Sequence, residues 1–312
     1  MVALTALATA GIAAAANGGF TPENAHSPNT HNTNTAYYVV LGFTAAIFLV
    51  VEGALVYFIW RYRAGKRPRT DEGPQLHGHT RLEIGWTVIP VVILAIIGSV
   101  IFIELPGISN APASTNPIRI SVIGHQFYWE FRYPNGTTTI NDLHVPVDQV
   151  VDLTVKSGDV VHSWWIPQLA GKIQAIPGRT NHTWFKADRI GTYYGQCAEL
   201  CGIFHESMAA RVLVTSSADY TAYTSKTAAA DLGKAEFTGV CATCHGMQGN
   251  GGYGVVISSN SRITNPMSLA PVLRNGGKKM PPVGDTWTFE QIKALTQYMK
   301  AHIYKGATTS GG

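Results

Sequence analysis

Two long apolar segments dominate the pattern of hydrophobic and polar positions in the first third of the chain. They cover 37–60 and 84–105, and neither carries a polar stripe along one face. Each is about as long as the roughly 20 residues that an α-helix needs to cross the hydrocarbon core of a bilayer. The pattern therefore predicts a two-helix transmembrane hairpin over 36–106 rather than a pair of helices buried in a soluble domain.

The short segment between the two predicted spans is strongly basic. Arg61, Arg63, Lys66, Arg67 and Arg69 follow directly after the first span. Short loops rich in lysine and arginine stay on the cytoplasmic side of a membrane. We therefore expect both ends of the hairpin, and everything C-terminal to it, to be extracytoplasmic.

The residues before the hairpin, 1–35, show no helical or strand periodicity. Residues 1–17 are similar to a signal sequence with small residues near a cleavage site, but they lack a positive start, so cleavage stays open. Residues 18–35 are rich in Asn, Thr, Pro and His, which predicts an exposed lead-in.

Glu52 falls inside the first predicted span, where placing its charge in the membrane would cost roughly 2.5–3.5 kcal/mol. We therefore expect Glu52 to be protonated or to face protein, either in a helix contact or in a proton path.

After the hairpin the pattern changes to short runs of alternating apolar and polar residues. From 117 to 214 these runs are separated by Gly, Pro and Asn at close spacing. Period-two alternation with such breaks predicts an antiparallel β-sandwich or barrel of about a hundred residues. We assign 107–216 to this domain and expect its chemistry in the loops at one end.

Composition supports a membrane contribution and excludes two classes of protein. Of the 312 residues, 46% are hydrophobic and 13% are charged, whereas soluble domains have about 25% charged residues. Four cysteines are too few for a disulfide-dense secreted scaffold. A formal net charge of +4 is too small to indicate a nucleic-acid-binding protein.

One loop near the end of the β domain combines four soft metal ligands. Within GQCAELCGIFHESM, Cys197, Cys201, His205 and Met208 supply two thiolates, an imidazole and a thioether, which suit copper. His162, on an earlier predicted strand, can supply a second imidazole. A mononuclear copper site needs only one cysteine beside two histidines and a weak methionine, so the second cysteine points to a second metal ion.

Three other interpretations of this loop stay open on sequence alone. The cysteines and histidines could form a structural zinc site, which would leave Met208 without a role. Cys197 and Cys201 could form a disulfide outside the cytoplasm. The two histidines could be ordinary surface residues, although one follows the second cysteine at a spacing that suits a metal loop.

The order C-x-E-x-C-x-x-x-H-x-x-M closely resembles subunit II of haem-copper cytochrome c oxidases. The resemblance includes DVVHSWWIPQLAGKIQAIPGRTN and GHQFYWEFRYP before the loop, and it extends over 37–214. It implies a cupredoxin-like Greek-key barrel that holds the dinuclear copper A centre, a site that relays electrons and has no open position for a substrate. By this resemblance, five side chains are copper ligands: His162, Cys197, Cys201, His205 and Met208.

The resemblance also implies roles for residues outside this ligand set. The backbone carbonyl of Glu199 would complete the copper site, and its carboxylate would reach a magnesium ion shared with subunit I. Glu83, in LEIGWT, matches the glutamate at the mouth of a proton channel into subunit I. Phe127 stands where many members carry the tryptophan that receives electrons from soluble cytochrome c, and the nearby Trp129 is not that position. We therefore expect electrons to enter this chain by another route.

The C-terminal part of the chain carries a second candidate site. Residues 217–229 are small and polar, which predicts a linker or a poorly packed helix before a domain over 230–312. Cys241, Cys244 and His245 form the C-x-x-C-H pattern of covalent haem c attachment, in which two thiols bind the haem vinyls and the histidine ligates iron. A thioredoxin-like C-x-x-C is disfavoured because no βαβ pattern surrounds it.

A methionine is the expected second axial ligand of the iron, because it favours the reduced state. Met280, in NGGKKMPPVG, is the first candidate, since glycine before it and proline after it make a rigid loop. Met267 is the second candidate, and Met247 is too close to the attachment motif.

The end of the chain predicts a capped amphipathic helix. Thr288 and Gln291 form a capping box, and Ile292, Leu295 and Met299 recur at helical spacing. With a helix over 231–240, this resembles the crossed-helix framework of small, all-α class I cytochromes c, whose haem forms part of a thin core.

Together the two domains resemble the cytochrome c-fused subunit II of a bacterial caa-type oxidase. This implies transfer of electrons from an external donor through haem c and copper A to haem in subunit I, where oxygen is reduced to water and protons are pumped. The implied partners are subunits I and III, membrane lipids, and a donor that is a cytochrome, an iron–sulfur protein or a supercomplex partner. A multi-pass location in the cytoplasmic membrane follows. A copper A-containing nitric oxide reductase subunit and a membrane-anchored electron shuttle without an oxidase are the alternatives.

Overall fold

The computed structural model describes most of the chain. The described residues are 21–63, 75, 77–114, 116–226 and 229–306. The predictions for residues 1–20, and those for Lys66, Arg67 and Arg69 in the basic loop, lie outside them. The chain forms two compact units, of which one is His31–Ile108 and the other combines Met1–Thr30 with Ser109–Gly312.

Two long apolar helices account for the first unit. Helix α1 covers Pro28–Tyr62 and helix α2 covers Thr80–Ser109. Each is long and apolar enough to cross a membrane, and the side chains of its most apolar segment are not buried in the protein. Exposed apolar side chains over this length are expected where lipid is the surrounding solvent. The prediction of two apolar N-terminal helices is confirmed.

The start of α1 differs from the prediction of an exposed lead-in over 18–35. The helix begins at Pro28, and both Ser27 and Asn29 are buried. The Asn29 side-chain amide donates a hydrogen bond to the backbone carbonyl of Trp184 at 2.5 Å, which anchors this segment on the β domain. Apolar periodicity could not reveal this contact, because it reports only the part of a helix that lies in hydrocarbon.

Ten strands form the β domain in two five-stranded sheets. The strands are β1 (Ile118–His125), β2 (Tyr128–Arg132), β3 (Thr138–Ile140), β4 (Asp142–Pro146), β5 (Val151–Ser157), β6 (His162–Ile166), β7 (Ala170–Ala175), β8 (Asn181–Phe185), β9 (Gly191–Cys197) and β10 (Ala209–Thr215). Their orders are β3-β2-β1-β5-β8 and β4-β10-β9-β6-β7. Side chains from both sheets, among them Phe131, Leu153 and Trp164, form one core. The predicted cupredoxin-like sandwich is confirmed.

The sequence pattern predicted antiparallel pairing, but two of the strand pairs are parallel. β1 pairs in parallel with β5, with Ile118 opposite Val151, and β10 pairs in parallel with β4, with Arg211 opposite Asp142. Period-two alternation reports which face of a strand is buried, and it carries no information about the direction of the neighbouring strand.

Short helices follow the β domain in the described part of the chain. They are α3 (Ser217–Lys226), α4 (Ala229–Glu236), a π-helical turn (Phe237–Cys241), α5 (Ala242–His245), a 3-10 turn (Ser261–Thr264), α6 (Pro266–Asn275) and α7 (Phe289–His302). The stretch predicted as a linker or poorly packed helix is therefore largely helical. The helix predicted over 231–240 is present, but its second half is π-helical and leads directly into the C-x-x-C-H motif.

Helices α4 and α7 form the framework of this small domain. A Cβ atom at Gly233 would overlap the backbone of Ala294, so only glycine allows the two helices to approach this closely. The predicted capping box is confirmed, with the Thr288 hydroxyl accepting from the Gln291 backbone N–H and the Gln291 side chain accepting from the Thr288 N–H. The predicted apolar face of α7 is buried, with Leu295 at its centre.

The β domain and the helical domain share a buried boundary. Tyr128 and Ile140 of the β domain belong to the hydrophobic core of the helical domain. The Tyr128 hydroxyl donates to the backbone carbonyl of Val283 at 2.6 Å and accepts from Nε1 of Trp287 at 2.9 Å. Since these polar atoms satisfy one another away from water, they fix how the two domains meet.

Candidate functional site

Neighbouring strands and the loop between β9 and β10 bring the five predicted copper ligands together. His162 begins β6 and Cys197 ends β9, and the two strands are hydrogen-bonded neighbours. Cys201, His205 and Met208 lie in the loop that follows β9. Four of the five are buried, so the site is built into the end of the sandwich; they are His162, Cys197, Cys201 and Met208.

The donor atoms of these side chains form one compact cluster. Cys197 Sγ lies 3.9 Å from Nδ1 of His162 and 4.0 Å from Sγ of Cys201. Cys201 Sγ lies 3.5 Å from Nδ1 of His205 and 3.8 Å from Sδ of Met208. Two thiols are thus central and each has its own imidazole, which suits two metal ions that share both sulfur atoms.

The geometry bears on the alternatives that the sequence left open. The two sulfur atoms are 4.0 Å apart, about twice the disulfide bond length of about 2.05 Å, and both cysteines are free. The buried thioether of Met208 faces Cys201, a position that a zinc site of two cysteines and two histidines would not require. The donor set therefore fits copper better than zinc or a disulfide.

The backbone carbonyl and the side chain of Glu199 contact different groups. Its carbonyl oxygen lies 3.2 Å from Sγ of Cys197, where a backbone ligand of the copper site is expected. Its half-buried carboxylate accepts a hydrogen bond from Nε2 of Gln174 at 3.3 Å. The carboxylate is therefore available outside the cluster of sulfur and nitrogen donors.

Asp159 orients the first histidine, a role that no sequence motif indicates. Its Oδ1 lies 2.7 Å from Nε2 of His162, while Nδ1 of the same ring points towards Cys197. A proton on Nε2 is held by the carboxylate, which leaves the Nδ1 lone pair free for a metal ion. Although burial alone would lower the pKa of His162, the interaction with Asp159 outweighs burial and raises it.

The two thiols differ in how readily they ionise without metal. Burial raises the pKa of the Cys197 thiol, but the hydrogen bond with His162 outweighs burial and lowers the pKa overall. The pKa of the Cys201 thiol is raised, first by burial and then by the nearby charge of Cys197. A bound cation supplies the positive charge that two adjacent thiolates need.

A cavity of about 760 Å³ contains the predicted haem ligands. Cys241, Cys244, His245 and Met280 all line it. Met267, the second candidate, and Met247, which the sequence disfavoured, are exposed and do not line this cavity. Two thiols, an imidazole and a thioether around one largely apolar cavity fit a covalently attached haem with a histidine and a methionine as axial ligands.

Backbone contacts hold the predicted axial ligands in place. Nδ1 of His245 lies 2.7 Å from the carbonyl oxygen of Val255, so a proton on Nδ1 leaves Nε2 free for iron. A Cβ atom at Gly254 would lie 2.8 Å from the His245 ring, which makes glycine necessary beside it. The backbone N–H of Gly277 donates to the Met280 carbonyl at 2.8 Å and closes the tight loop that the sequence predicted.

Phe127 and Trp129 occupy different layers of the structure. Trp129 is fully buried, with its ring centroid 6.0 Å from that of His162, so it packs behind the copper cluster. Phe127 is half-buried and lines the haem cavity, and it contacts Phe204 of the copper loop with ring centroids 5.5 Å apart. The sequence singled out Phe127 and Trp129, but it gave no sign that Phe204 or Tyr253 would join them at this boundary.

The two glutamates singled out in the apolar helices, Glu52 and Glu83, belong to the unit His31–Ile108. The Glu83 carboxylate accepts a hydrogen bond from the backbone N–H of His79 at 3.2 Å, which satisfies a free donor at the start of α2. Glu52 is exposed on α1.

Comparisons with protein families find three matches along the chain. Residues 15–103 match the family described as cytochrome c oxidase subunit II, transmembrane domain, and residues 137–215 match the periplasmic domain of the same subunit. Residues 228–299 match the family described as cytochrome c oxidase, cbb3-type, subunit III.

Individual relatives give the same picture. Cytochrome c oxidase subunit 2 of Alkalihalophilus pseudofirmus is 36% identical, with 66% of this chain and 65% of the relative covered. The protein of that name from Synechocystis is 32% identical, with 62% and 71% covered. A solved structure, the periplasmic domain of subunit II of cytochrome oxidase (CoxB) of Bradyrhizobium japonicum, is 34% identical over 37% of this chain and 95% of that chain, with a TM-score of 0.35.

Proposed function

The chain belongs to the cytochrome c oxidase subunit II family, and from that premise we propose that electrons enter a haem-copper oxygen reductase through it. An external donor would reduce haem c in the C-terminal domain, and the electron would pass through copper A to haem in subunit I. Oxygen reduction to water and proton pumping belong to the complex, in which this chain is the oxidoreductase subunit that carries electrons.

One observation carries this proposal: the cavity with the predicted haem ligands is walled on one side by the predicted copper loop. Gly202, Ile203 and Phe204, which lie between the ligands Cys201 and His205, line the same cavity as the C-x-x-C-H motif. Two one-electron sites on either side of one loop suit transfer within the chain, without diffusion of a carrier.

The residues of this chain would divide the work as follows. The five side chains of the cluster around Cys197 and Cys201 would hold two copper ions, and His245 with Met280 would hold the haem iron. When bound, these groups supply one-electron redox chemistry.

Further parts of the proposal concern the assembled complex. The Glu199 carboxylate would help to bind a magnesium ion shared with subunit I, and Glu83 would stand at the mouth of a proton channel. Both helices would cross the bacterial cytoplasmic membrane, with the two folded domains outside and subunits I and III as neighbours. Phe127 supports a fused donor, because the domain that lies beside it already provides the haem.

Oxygen consumption by the purified complex tests the proposal. With a reduced one-electron donor, the wild-type complex is expected to consume oxygen, and Cys197→Ser is expected to abolish consumption while haem c still becomes reduced. Asp188→Asn, at an exposed carboxylate away from both clusters, serves as a control and should consume oxygen normally. Consumption of nitric oxide instead would indicate a reductase of that gas, and purification without a large partner subunit would indicate a free electron shuttle; either would contradict the proposal.

A further inference from the structure

The loop that carries the copper ligands also closes the haem cavity. Of the loop, Gly202, Ile203 and Phe204 line the cavity, and Phe127 of the β domain lies beside them. The opposite wall comes from the helical domain and includes His245. One short stretch of backbone therefore lines the cavity of the predicted haem ligands and lies between two predicted copper ligands, Cys201 and His205.

Phe204 connects aromatic side chains of both domains. Its ring centroid is 5.1 Å from that of Tyr253, in the helical domain, with the ring planes at 90°. It is 5.5 Å from that of Phe127, in the β domain, with the planes at 81°. These are edge-to-face contacts, the geometry that aromatic pairs prefer. Phe204 is thus held from both sides of the domain boundary.

The backbone beside Phe204 is held as closely as its ring. Gly202 has φ of +141°, and a Cβ atom there would lie 2.9 Å from the ring of Phe127. The side-chain amide of Gln126 donates to the carbonyl of the ligand Cys201 at 2.5 Å. The loop is therefore pressed against the β domain immediately before Phe204, and the copper ligand His205 follows immediately after it.

We propose that Phe204 is a positioning residue for electron transfer from the haem site to the copper site, which rests on the function proposed above. In this step the haem iron loses one electron, the copper pair gains it, and no covalent bond forms or breaks. Phe204 occupies the space between the two sites, excludes water from it, and keeps the helical domain at a fixed distance from His205. A smaller side chain would let water in or the domains separate, and transfer slows as the separation grows.

The test uses the complete oxidase complex with a photoactivated one-electron reductant. A light pulse reduces haem c, and the absorbances of haem and copper follow the passage of the electron. Phe204→Leu is expected to slow this passage about tenfold, equivalent to about 1.4 kcal/mol of activation free energy. Phe204→Tyr keeps the ring and should stay close to the wild-type rate, as should Phe289→Leu, a control at a partly exposed phenylalanine of α7.

Three readouts separate positioning from damage to either site. The haem absorption spectrum and the copper EPR signal of Phe204→Leu are expected to match wild type, because neither ligand set changes. Backbone amides around Tyr253 should exchange hydrogen faster in the variant, with or without bound metal, because the domain boundary has lost its central ring. Unchanged exchange together with an unchanged rate would overturn the proposal.

If Phe204→Leu fails to bind copper, a second variant tests the positioning role of the contact between Phe204 and Tyr253. Tyr253→Leu removes the partner ring from the helical domain and leaves the copper loop intact, so it is also expected to slow transfer. A wild-type rate in Tyr253→Leu would then contradict the role of this contact. Failure of the wild-type complex itself to pass electrons from haem to copper would instead refute the function proposed above.

Discussion

At the scale of single residues, Asp159 holds one of the predicted copper ligands in place. It holds Nε2 of His162 at 2.7 Å and also accepts from the backbone N–H groups of Gln126 and Val160. The pKa of this carboxyl is lowered, because these hydrogen bonds outweigh the effect of burial. Asp159 is therefore ionised and can stabilise the protonated Nε2.

Asp159→Asn is expected to weaken copper binding. The amide keeps the shape of the carboxylate but loses its charge, so Nδ1 of His162 becomes a poorer ligand, and losses of about 10-fold or more in metal affinity are typical. Competition with a copper chelator measures the affinity. Asp152→Asn, on β5 of the same domain, should leave it unchanged. Equal affinity in both variants would mean that Asp159 does not orient the ligand.

Glu236 illustrates a buried charge that the sequence could not reveal. It is fully buried on α4, and neither carboxylate oxygen has a hydrogen-bond partner within 3.5 Å. Burial, and then the negative charge of Glu130, raise the pKa of Glu236 to about 9. Glu236 is therefore protonated in the folded protein at neutral pH, while it is ionised in the unfolded chain.

This difference makes stability depend on pH in a definite direction. The unfolded carboxyl titrates near 4.5 and the folded one near about 9, so unfolding releases a proton between these values. The contribution is fully present below pH 4.5 and is lost as the pH rises towards 9. Between pH 5 and pH 8 the free energy of unfolding should therefore fall in wild type and fall less in Glu236→Gln.

Chemical denaturation of the haem-containing protein at these two pH values measures the effect. Glu290→Gln is the matched control, because Glu290 is exposed on α7 and pairs only with Lys293 at 3.6 Å. The control should follow the wild-type pH dependence. A Glu236→Gln variant that also follows it would show that Glu236 is ionised in the folded protein.

At the scale of helices and strands, the sequence predicts where an element lies better than it predicts which other elements that element contacts. Alternation located the strands of the β domain, and the capping box located the start of α7 at Phe289. Neither pattern contains the parallel pairing of β1 with β5, which depends on how the chain crosses from one sheet to the other. Similarly, the hydrogen bond from Asn29, near the start of α1, to the carbonyl of Trp184 joins residues far apart in sequence, so no local sequence pattern predicts it.

Tyr128 at the start of β2 is the element-level contact that we expect to hold the two domains together. Tyr128→Phe would leave the Val283 carbonyl and the Trp287 N–H buried without a partner, a loss of about 1–3 kcal/mol. Denaturation followed by haem absorbance should therefore shift to lower denaturant concentration.

Tyr133→Phe provides a control of the same chemistry in the other core. Its hydroxyl bonds to the backbone of His144 inside the β domain, at 2.7 and 3.1 Å. This variant should destabilise the β domain and leave the haem-monitored transition unchanged. An equal shift in both variants would mean that Tyr128 stabilises the protein without holding the boundary.

At the scale of the whole molecule, the sequence predicts two sites but not the wall that their residues share. The soft-ligand loop and the C-x-x-C-H motif each have a characteristic spacing, because metal and haem chemistry restrict which residues can serve. Phe204 and Tyr253 have no such spacing. Aromatic residues are common in cores, and only the folded chain brings these two within 5.1 Å. The distance between the two redox sites is therefore a property of the fold.

The central claim is that one chain holds a copper pair and a haem on either side of this wall. Metal and haem analysis of the purified protein, combined with low-temperature EPR, tests it most directly. We expect two copper ions and one covalent haem per chain, with an EPR signal from a mixed-valence copper pair. That signal should vanish in Cys197→Ser and in Cys201→Ser while the haem spectrum is unchanged. Zinc in the loop, or a bond between the two sulfur atoms, would contradict the account.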